Sequence, residues 1–489
     1  MKLNKTFFYI LLGSMLTAST VSCSDYLDTE PITDRAVPLS DTPYTKASEA
    51  EDLMTALYSD FGNEYWQLDY FFNGDAQADT AYTGGDNPQN MQQGEYRIIA
   101  TNTNVARDWK YLYGFINNCN KVLNYVDNIA DPALTSARKN EMKSEAAILR
   151  ALYYFHAVQL WGDVPLVTKA VIGVNSENFE EVYSQVYPKR ATTAEIYTQI
   201  ITDLEGALAS APSASNKFKA NKGFALALLA KVNATKPSPD YTKVVSYTDQ
   251  LMTLGYSLVP TYDHLFDGSH EANAESIFEA NGNGGNVWAW GTFMFVGNDW
   301  KKFNTPSNDV VKSFDDEGDV IRKQSSVTFD NVGWADNYWP SSHYPFMNKM
   351  RLTDGNQNFY VARYADLLLI RAEAKVNLGD YTGAAALVNQ VRTRVNLPDI
   401  TISSKEDGIN KILKERKLEL AFEGERWFDL KRTGKAVEIL SNRKDGNGNV
   451  ISFAKNINQN RLLWPIPQSQ IDSLFRCDCF FCHIKLIIL

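Results

Sequence analysis

Apolar residues recur at helical spacing from near Ser48, in segments of roughly 48–62, 105–128, 138–160, 192–209, 220–234 and 240–254, so the first half of the chain is predicted to be mostly helical. From about 256 to 358 no long amphipathic period survives. Glycine, asparagine, aspartate and aromatic residues alternate there with short apolar runs such as Ser276 to Ala280, which predicts loops with a few strands. Helical spacing returns at about 361–378, 381–396, 406–422 and 425–432, and Asp445 to Asn449 predicts a hairpin turn before a short strand at Val450 to Phe453. The fold class expected from this pattern is mainly α, a scaffold of helical hairpins carrying an irregular, loop-rich face.

Two helix pairs share one grammar. In 361–396, Ala365, Leu369, Ala372 and Ala374 place small and large apolar residues on one face, Gly379-Asp380-Tyr381 makes a turn, and Ala384, Leu387, Val388 and Val391 line the second helix. Small residues at a crossing let helices approach closely. The pair resembles a tetratricopeptide hairpin, a unit of about 34 residues that must stack on neighbours to bury its faces. A second candidate runs from Lys222 to Gly255, with Ala225, Ala227 and Ala230 on its first helix and Pro239-Asp240-Tyr241 at the turn.

The N-terminus has its own logic. Lys2 and Lys5 give a positive start, Phe7 to Leu16 is apolar, and the small-residue run Thr17 to Ser22 leads into Cys23. The apolar stretch is too short to span a bilayer. This order is what a bacterial lipoprotein signal peptidase reads, so 1–22 is expected to be a signal peptide and Cys23 the lipidation site. Each buried lipid methylene is worth about 0.8 kcal/mol, so two or three acyl chains anchor the protein durably. Residues 23–43, rich in Asp, Thr and Pro, form the expected tether. Residues 44–472 are expected to be a single domain, divided into a helical half 44–255, a loop-rich binding segment 256–358 and a helical half 359–472.

Composition narrows the function class. Removing the signal leaves 46 basic against 58 acidic residues, a balance that argues against nucleic acid and anionic lipid as partners. Of five cysteines only Cys119 lies in the folded body, so no disulfide framework supports it. The five histidines, His156, His264, His270, His343 and His483, form no H-E-x-x-H and no pair at metal-ligand spacing. No nucleophile elbow, Walker or dinucleotide-binding glycine pattern occurs. Asp445, Asn447 and Asn449 begin like a calcium loop, but Val450 stands where the glycine is needed and Asn456 where the bidentate glutamate is. No metal, cofactor or catalytic residue is therefore assigned.

The strongest local signal is I-L-K-E-R-K-L-E-L-A-F-E-G-E-R-W-F-D-L-K-R, Ile412 to Arg432. Leu413, Leu418, Leu420 and Phe422 give its helix a buried side, Glu415, Glu419 and Glu423 line one face, and Gly424 permits a sharp turn into a short helix where Trp427 and Leu430 bury. Read from its residues, this is a charged helical corner in a core. As a string it resembles the hallmark of the SusD/RagB family of outer-membrane nutrient-binding lipoproteins. Other pieces agree in order: C-S-D-Y-L-D from Cys23, A-I-L-R-A-L-Y-Y-F-H-A-V-Q-L-W-G-D-V-P-L-V from Ala147, R-Y-A-D-L-L-L-I-R-A-E-A-K-V-N-L-G from Arg363, V-N-Q-V-R-T-R from Val388 and L-W-P-I-P-Q-S-Q-I-D from Leu463. The resemblance implies a tetratricopeptide-like helical domain, lipid-anchored at the cell surface, acting as the lid of a TonB-dependent, SusC-like outer-membrane transporter. Such proteins bind oligosaccharides, or in some branches peptides, without catalysis. The chain departs from the family at 473–489, where Cys477, Cys479, Cys482 and His483 and an apolar end suggest an altered reading frame rather than a metal site.

Sugar recognition needs flat aromatic faces for pyranose C–H groups and polar side chains for hydroxyls. Two regions offer both: Tyr65 to Tyr96, with Trp66, Tyr70, Asp75, Asp79, Tyr82, Asp86, Asn87, Asn90 and Tyr96, and Asn281 to Trp300, with Trp288, Trp290, Asn298 and Trp300, followed by Trp334, Asn337, Tyr338 and Trp339. The expected platform is Tyr82, Trp288 and Trp290, with Trp66, Asp75, Asp79, Asn87, Tyr96, Trp300 and Trp334 as further ligand-binding candidates. Trp109, Tyr113, Trp161 and Trp427 sit on amphipathic helices and are expected in the core. A glycoside hydrolase, which needs two carboxylates some 5–10 Å apart in one cleft, remains an alternative reading.

Overall fold

The computed structural model describes residues 43–170, 179–281 and 286–472, with the side chains of all of these except 179–181 and 286–289. Cys23, the tether up to residue 42 and the segment 473–489 lie outside the described residues. Seventeen α-helices and eight short strands are described. In chain order the first helices are α1 (Ala47–Ser59), α2 (Tyr70–Asp75, entered through a π-helical turn at Tyr65–Asp69), α3 (Pro88–Gly94), α4 (Thr103–Tyr125), α5 (Ser136–Trp161), α6 (Phe179–Val186), α7 (Thr193–Ala207), α8 (Lys222–Thr235) and α9 (Tyr241–Met252). Then come α10 (Asn286–Phe293), α11 (Asn308–Glu317), α12 (Val320–Ser326), α13 (Tyr364–Asn377), α14 (Tyr381–Arg394), α15 (Lys405–Glu419), α16 (Arg426–Arg432) and α17 (Ala436–Leu440). The strands pair antiparallel two by two: β1 (Ala81–Thr83) with β5 (Asn304–Pro306), β2 (Val164–Pro165) with β3 (Arg190–Ala191), β4 (Ser276–Ala280) with β8 (Phe359–Arg363), and β6 (Val327–Asp330) with β7 (Tyr344–Met347).

The long helices stack in series, α4 on α5, α5 on α7, α7 on α8, α8 on α9, α9 on α13, and α13 on both α14 and α15. Their starts are fixed by side chains that take up free backbone N–H groups: Asn102 before α4, Thr135 before α5, Thr192 with Glu195 as a capping box before α7, Asn221 before α8, Asp240 before α9, Asp380 before α14 and Ser404 before α15. The alanines expected at the crossings, Ala225, Ala227, Ala230, Ala365, Ala372 and Ala374, are all inaccessible to solvent. Both tetratricopeptide-like pairs, α8–α9 and α13–α14, are therefore packed units of one helical array.

Two segments differ from the sequence expectation. Tyr65 to Asp75 is helical rather than loop-like, and every residue from Tyr65 to Tyr82 is buried. Residues 256–358 hold three helices, α10, α11 and α12, besides the strand expected at Ser276–Ala280. The turn at Asp445–Asn449 forms, closed by a Lys444–Val450 bridge, but a 3-10 helix at Ser452–Asn456 follows instead of a strand.

Trp66 belongs to the core and is not available to a ligand. Its indole is wholly buried among Phe61, Tyr65, Tyr70, Tyr153, His156 and Phe359. His156 stacks on Tyr70 with ring centroids 5.4 Å apart, and its Nδ1 lies 2.8 Å from the Tyr65 hydroxyl. Burial, reinforced by the Lys231 charge, holds the imidazole pKa down at about 3. The unfolded chain protonates this ring near pH 6.5, so the neutral ring contributes stability that is complete above that pH and is lost as pH falls toward 3. The stability gap between wild type and His156→Gln, from urea unfolding at each pH, should shrink by roughly 2–3 kcal/mol between pH 7 and pH 4.5. A gap that stays constant with pH would show that the ring titrates normally in the folded protein.

Candidate ligand-binding face

The early and mid-chain zones singled out in the sequence are joined backbone to backbone. β1 pairs with β5 so that Tyr82 faces Thr305, and beyond the strand Gly84 and Gly85 donate N–H groups to the carbonyls of Phe303 at 2.9 Å and Lys301 at 2.7 Å. Gly85 has φ +71, and a Cβ there would stand 2.8 Å from the Phe303 ring, so a side chain would part the two loops. Asn87 then caps α3 by accepting from the Gln89 N–H at 2.9 Å.

Over this junction lies a cavity of about 350 Å³ lined by residues of both zones and by Phe453. Its aromatic element is a stack: the Tyr82 and Tyr338 rings lie with centroids 4.1 Å apart and planes at 17°. Tyr82 is the lower member, 1% exposed. Its hydroxyl donates to the Lys444 carbonyl at 2.6 Å and accepts from the Asn308 backbone and side-chain nitrogens, both at 3.1 Å. The half-buried Tyr338 is thus the ring offered to the cavity, and Tyr82 its base. Asp336 sets this loop. One oxygen accepts the N–H groups of Tyr338 and Trp339 at 2.7 and 2.8 Å; the other accepts from the Tyr344 hydroxyl at 2.7 Å and lies 3.0 Å from Lys301 Nζ. Glu95, Lys301, Asp336 and Asn337 supply the polar fringe.

A second aromatic patch adjoins it through Trp300. Lys302 Nζ sits 4.1 Å above the Phe293 ring and 4.4 Å above the Trp300 ring, with Asp299 at 2.8 Å, a cation–π clamp between the end of α10 and the loop before β5. Trp290, 39% exposed, and Phe293, 44% exposed, present their rings outward from α10. Trp334, half-buried, packs edge-on against Tyr344 at 4.5 Å. The Trp288 side chain lies outside the described residues.

The other candidates point inward. Asp75 accepts from the Gly424 N–H at 2.9 Å and from Thr80 Oγ1 at 3.0 Å, and burial lifts its pKa to about 7. Asp79 lies 2.7 Å from Arg426 Nε and 3.0 Å from Lys417 Nζ; these two cations outweigh its burial and hold the carboxyl far below its usual range. Tyr96, with φ +57, stacks on Trp427 and receives the Arg443 guanidinium on its hydroxyl at 3.1 Å. These three residues pin the early loop to the Ile412–Arg432 corner, are buried, and do not line the cavity. Lys301, Asp336, Glu95 and Phe453 were not singled out by sequence reasoning. Lys301 and Asp336 adjoin the aromatic runs that were, whereas nothing local marks Phe453, which arrives from the far end of the chain.

Residues 233–474 match the family model described as SusD family, and residues 25–233 match one described as starch-binding associating with outer membrane. The chain belongs to the SusD/RagB family. SusD-like protein P38 of Formosa agariphila is 26% identical, across 91% of this chain and 92% of that protein. A SusD-like protein of Bacteroides ovatus is 24% identical across 84% of this chain and 79% of its own length. Among solved structures, a SusD superfamily protein from Bacteroides vulgatus superposes with TM-score 0.72 at 22% identity, covering 87% of this chain and 96% of that one. A laminarin-binding SusD-like protein superposes with TM-score 0.70 at 25% identity, covering 88% and 98%. The SusD-like fold thus accounts for the helical array described above.

Proposed function

We propose that this chain is a glycan-binding lipoprotein of the outer membrane, anchored through Cys23 at the cell surface. It captures oligosaccharide and delivers it to a TonB-dependent, SusC-like transporter without acting on it chemically. The observation that carries this reading is the Tyr82–Tyr338 stack, whose upper ring is fringed by Glu95, Lys301, Asp336 and Asn337 in one cavity. A flat ring matches the C–H face of a pyranose, and the amide, carboxylate and ammonium groups match its hydroxyls. The exposed rings of Trp290 and Phe293 offer a further aromatic surface, tied through Lys302 to Trp300, next in the chain to Lys301 of the cavity. Family membership and the laminarin-binding relative support a glucan or similar polysaccharide as the class of ligand.

Calorimetric titration against plant, host and microbial polysaccharides, with the same mixtures assayed for new reducing ends, tests the proposal. Saturable binding without cleavage is expected, weakened at least about tenfold (about 1.4 kcal/mol) in Tyr338→Ala and less in Trp290→Ala. New reducing ends that vanish in Glu95→Gln or Asp336→Asn would make the protein a hydrolase instead. Binding only to peptide mixtures would place it in a peptide-capturing branch.

A further inference from the structure

The segment Thr261 to Asn273, which contributes no residue to the cavity over the β1–β5 junction, brings together three groups that spacing alone does not. His264, Asp267 and His270 place their potential ligand atoms all within 4.8 Å of one another. The two imidazoles lie face to face, centroids 3.7 Å apart and planes at 5°, and His270 Nδ1 is 2.7 Å from Asp267 Oδ2. We propose that this trio is a binding site for a divalent transition-metal ion of the zinc class, with two imidazole nitrogens and one carboxylate oxygen as protein ligands and water completing the shell. Imidazole nitrogen is the donor that separates such ions from calcium and magnesium, which take oxygen ligands, and two histidines with one carboxylate is a recurrent three-ligand set.

The surroundings are those of a built site. The Ser269 N–H donates to Asp267 Oδ1 at 2.8 Å, which fixes the carboxylate and leaves Oδ2 toward His270. Asn273 Nδ2 donates to the His270 carbonyl at 2.8 Å and to the Tyr360 hydroxyl at 2.7 Å, anchoring the loop to β8. Gly268, at φ +69, and Ala272, at φ +49, turn the chain back on itself; the Ala272 N–H is held by both oxygens of Glu279 at 2.9 and 3.1 Å. Glu271 and Glu279 line the same small cavity as the two histidines and add negative potential beside it. On the other side Tyr262, Leu265 and Phe266 are buried against Val395 and Leu397, so His264 projects from a buried base, while the His270 side chain is 46% exposed and held by Asp267. Zinc–nitrogen bonds of about 2.0–2.1 Å require the ligand atoms to draw in and the two rings to turn out of their parallel stack, so that both in-plane lone pairs meet one ion. No histidine motif announces the site, because the six-residue interval is closed by a loop rather than by one helix face.

The test is calorimetric titration of zinc chloride into the untagged, chelator-treated protein, with cobalt(II) absorption as a second readout of inner-sphere nitrogen ligation. Uptake of one equivalent is expected, weakened at least about tenfold in His264→Gln and in His270→Gln, less in Asp267→Asn, and unchanged in His343→Gln, an exposed histidine elsewhere on the surface. His270 is substantially exposed, so His270→Gln should keep the wild-type circular dichroism and remain interpretable if His264→Gln does not fold. Absence of stoichiometric uptake by the wild type, or uptake that survives both histidine substitutions, would overturn the assignment.

Discussion

Arg363→Met is expected to cost about 3–5 kcal/mol of folding free energy, the range for removing one partner of a buried charge cluster. Arg363 opens α13 from the end of β8, and its side chain is buried. Its Nη1 lies 2.7 Å from Glu275 and 2.6 Å from Glu419, its Nε 2.6 Å from Glu423, and its Nη2 donates to the Glu419 carbonyl at 2.8 Å. Arg322, Arg394 and Lys349 face the same acids from α12, α14 and the loop before β8. The cations outweigh burial, so Glu419 and Glu423 titrate below the ordinary carboxylate range. Methionine keeps much of the volume but leaves Glu275 and Glu423 short of a counter-charge.

The pH dependence separates this from simple loss of packing. A carboxylate with a depressed native pKa contributes stability that is present above its unfolded value, near 4.3, and is lost as pH falls through the native value. With Arg363 removed, the native values rise toward that reference. The gap between Arg363→Met and wild type, from denaturant midpoints at fixed slope, should therefore be largest at neutral pH and narrow below about pH 4.5. A gap under about 1 kcal/mol at pH 7 would mean that the remaining arginines already neutralise the cluster.

The physical reason for what was legible in the sequence lies in burial on one side or on all sides. Helices such as α4, α7, α9 and α14 bury one face, keep a period of 3.6 and carry capping residues, so periodicity and turn chemistry located them. Tyr65 to Tyr82 is buried on every side, its acids as well as its rings, and a segment without a polar face has no period to read. The same burial explains which site candidates turned inward. Asp75, Asp79 and Tyr96 look like ligand groups beside glycine and asparagine, but their partners Gly424, Arg426, Lys417 and Arg443 lie more than 300 residues away, and only the fold brings them within reach. Tyr82 and Tyr338 could be picked out separately as aromatic residues in polar loops. That one ring lies beneath the other depends on the β1–β5 pairing, which the three-residue strands do not announce.

Gly74→Ala is expected to abolish stable folding, costing about 3 kcal/mol or more, at the upper end for overpacking. A Cβ on Gly74 would lie 1.9 Å from the Gly424 carbonyl oxygen and 2.1 Å from its carbon, and both are backbone atoms that no rotamer change can move away. The two glycines are the contact between α2 and the corner joining α15 to α16. That corner turns through Phe422 at φ +63 and Gly424 at φ +78, and the Gly424 N–H is fixed by Asp75. Here the family-specific string Ile412 to Arg432 acts as a structural joint: its acids close the Arg363 cluster, its glycine receives α2, and Arg426 holds Asp79 at the foot of the strand that carries Tyr82. Gly114→Ala is the control. Gly114 lies exposed within α4 with nothing within 4 Å of an added Cβ, so alanine there should stabilise by about 0.5–1 kcal/mol through helix propensity. Opposite signs for the two substitutions, measured by denaturant unfolding or, for Gly74→Ala, by failure to recover folded protein, would establish the close approach. If Gly74→Ala folds within about 1 kcal/mol of wild type, the α2 corner can open, and the early loop's attachment to the C-terminal half is looser than its hydrogen bonds and ion pairs imply.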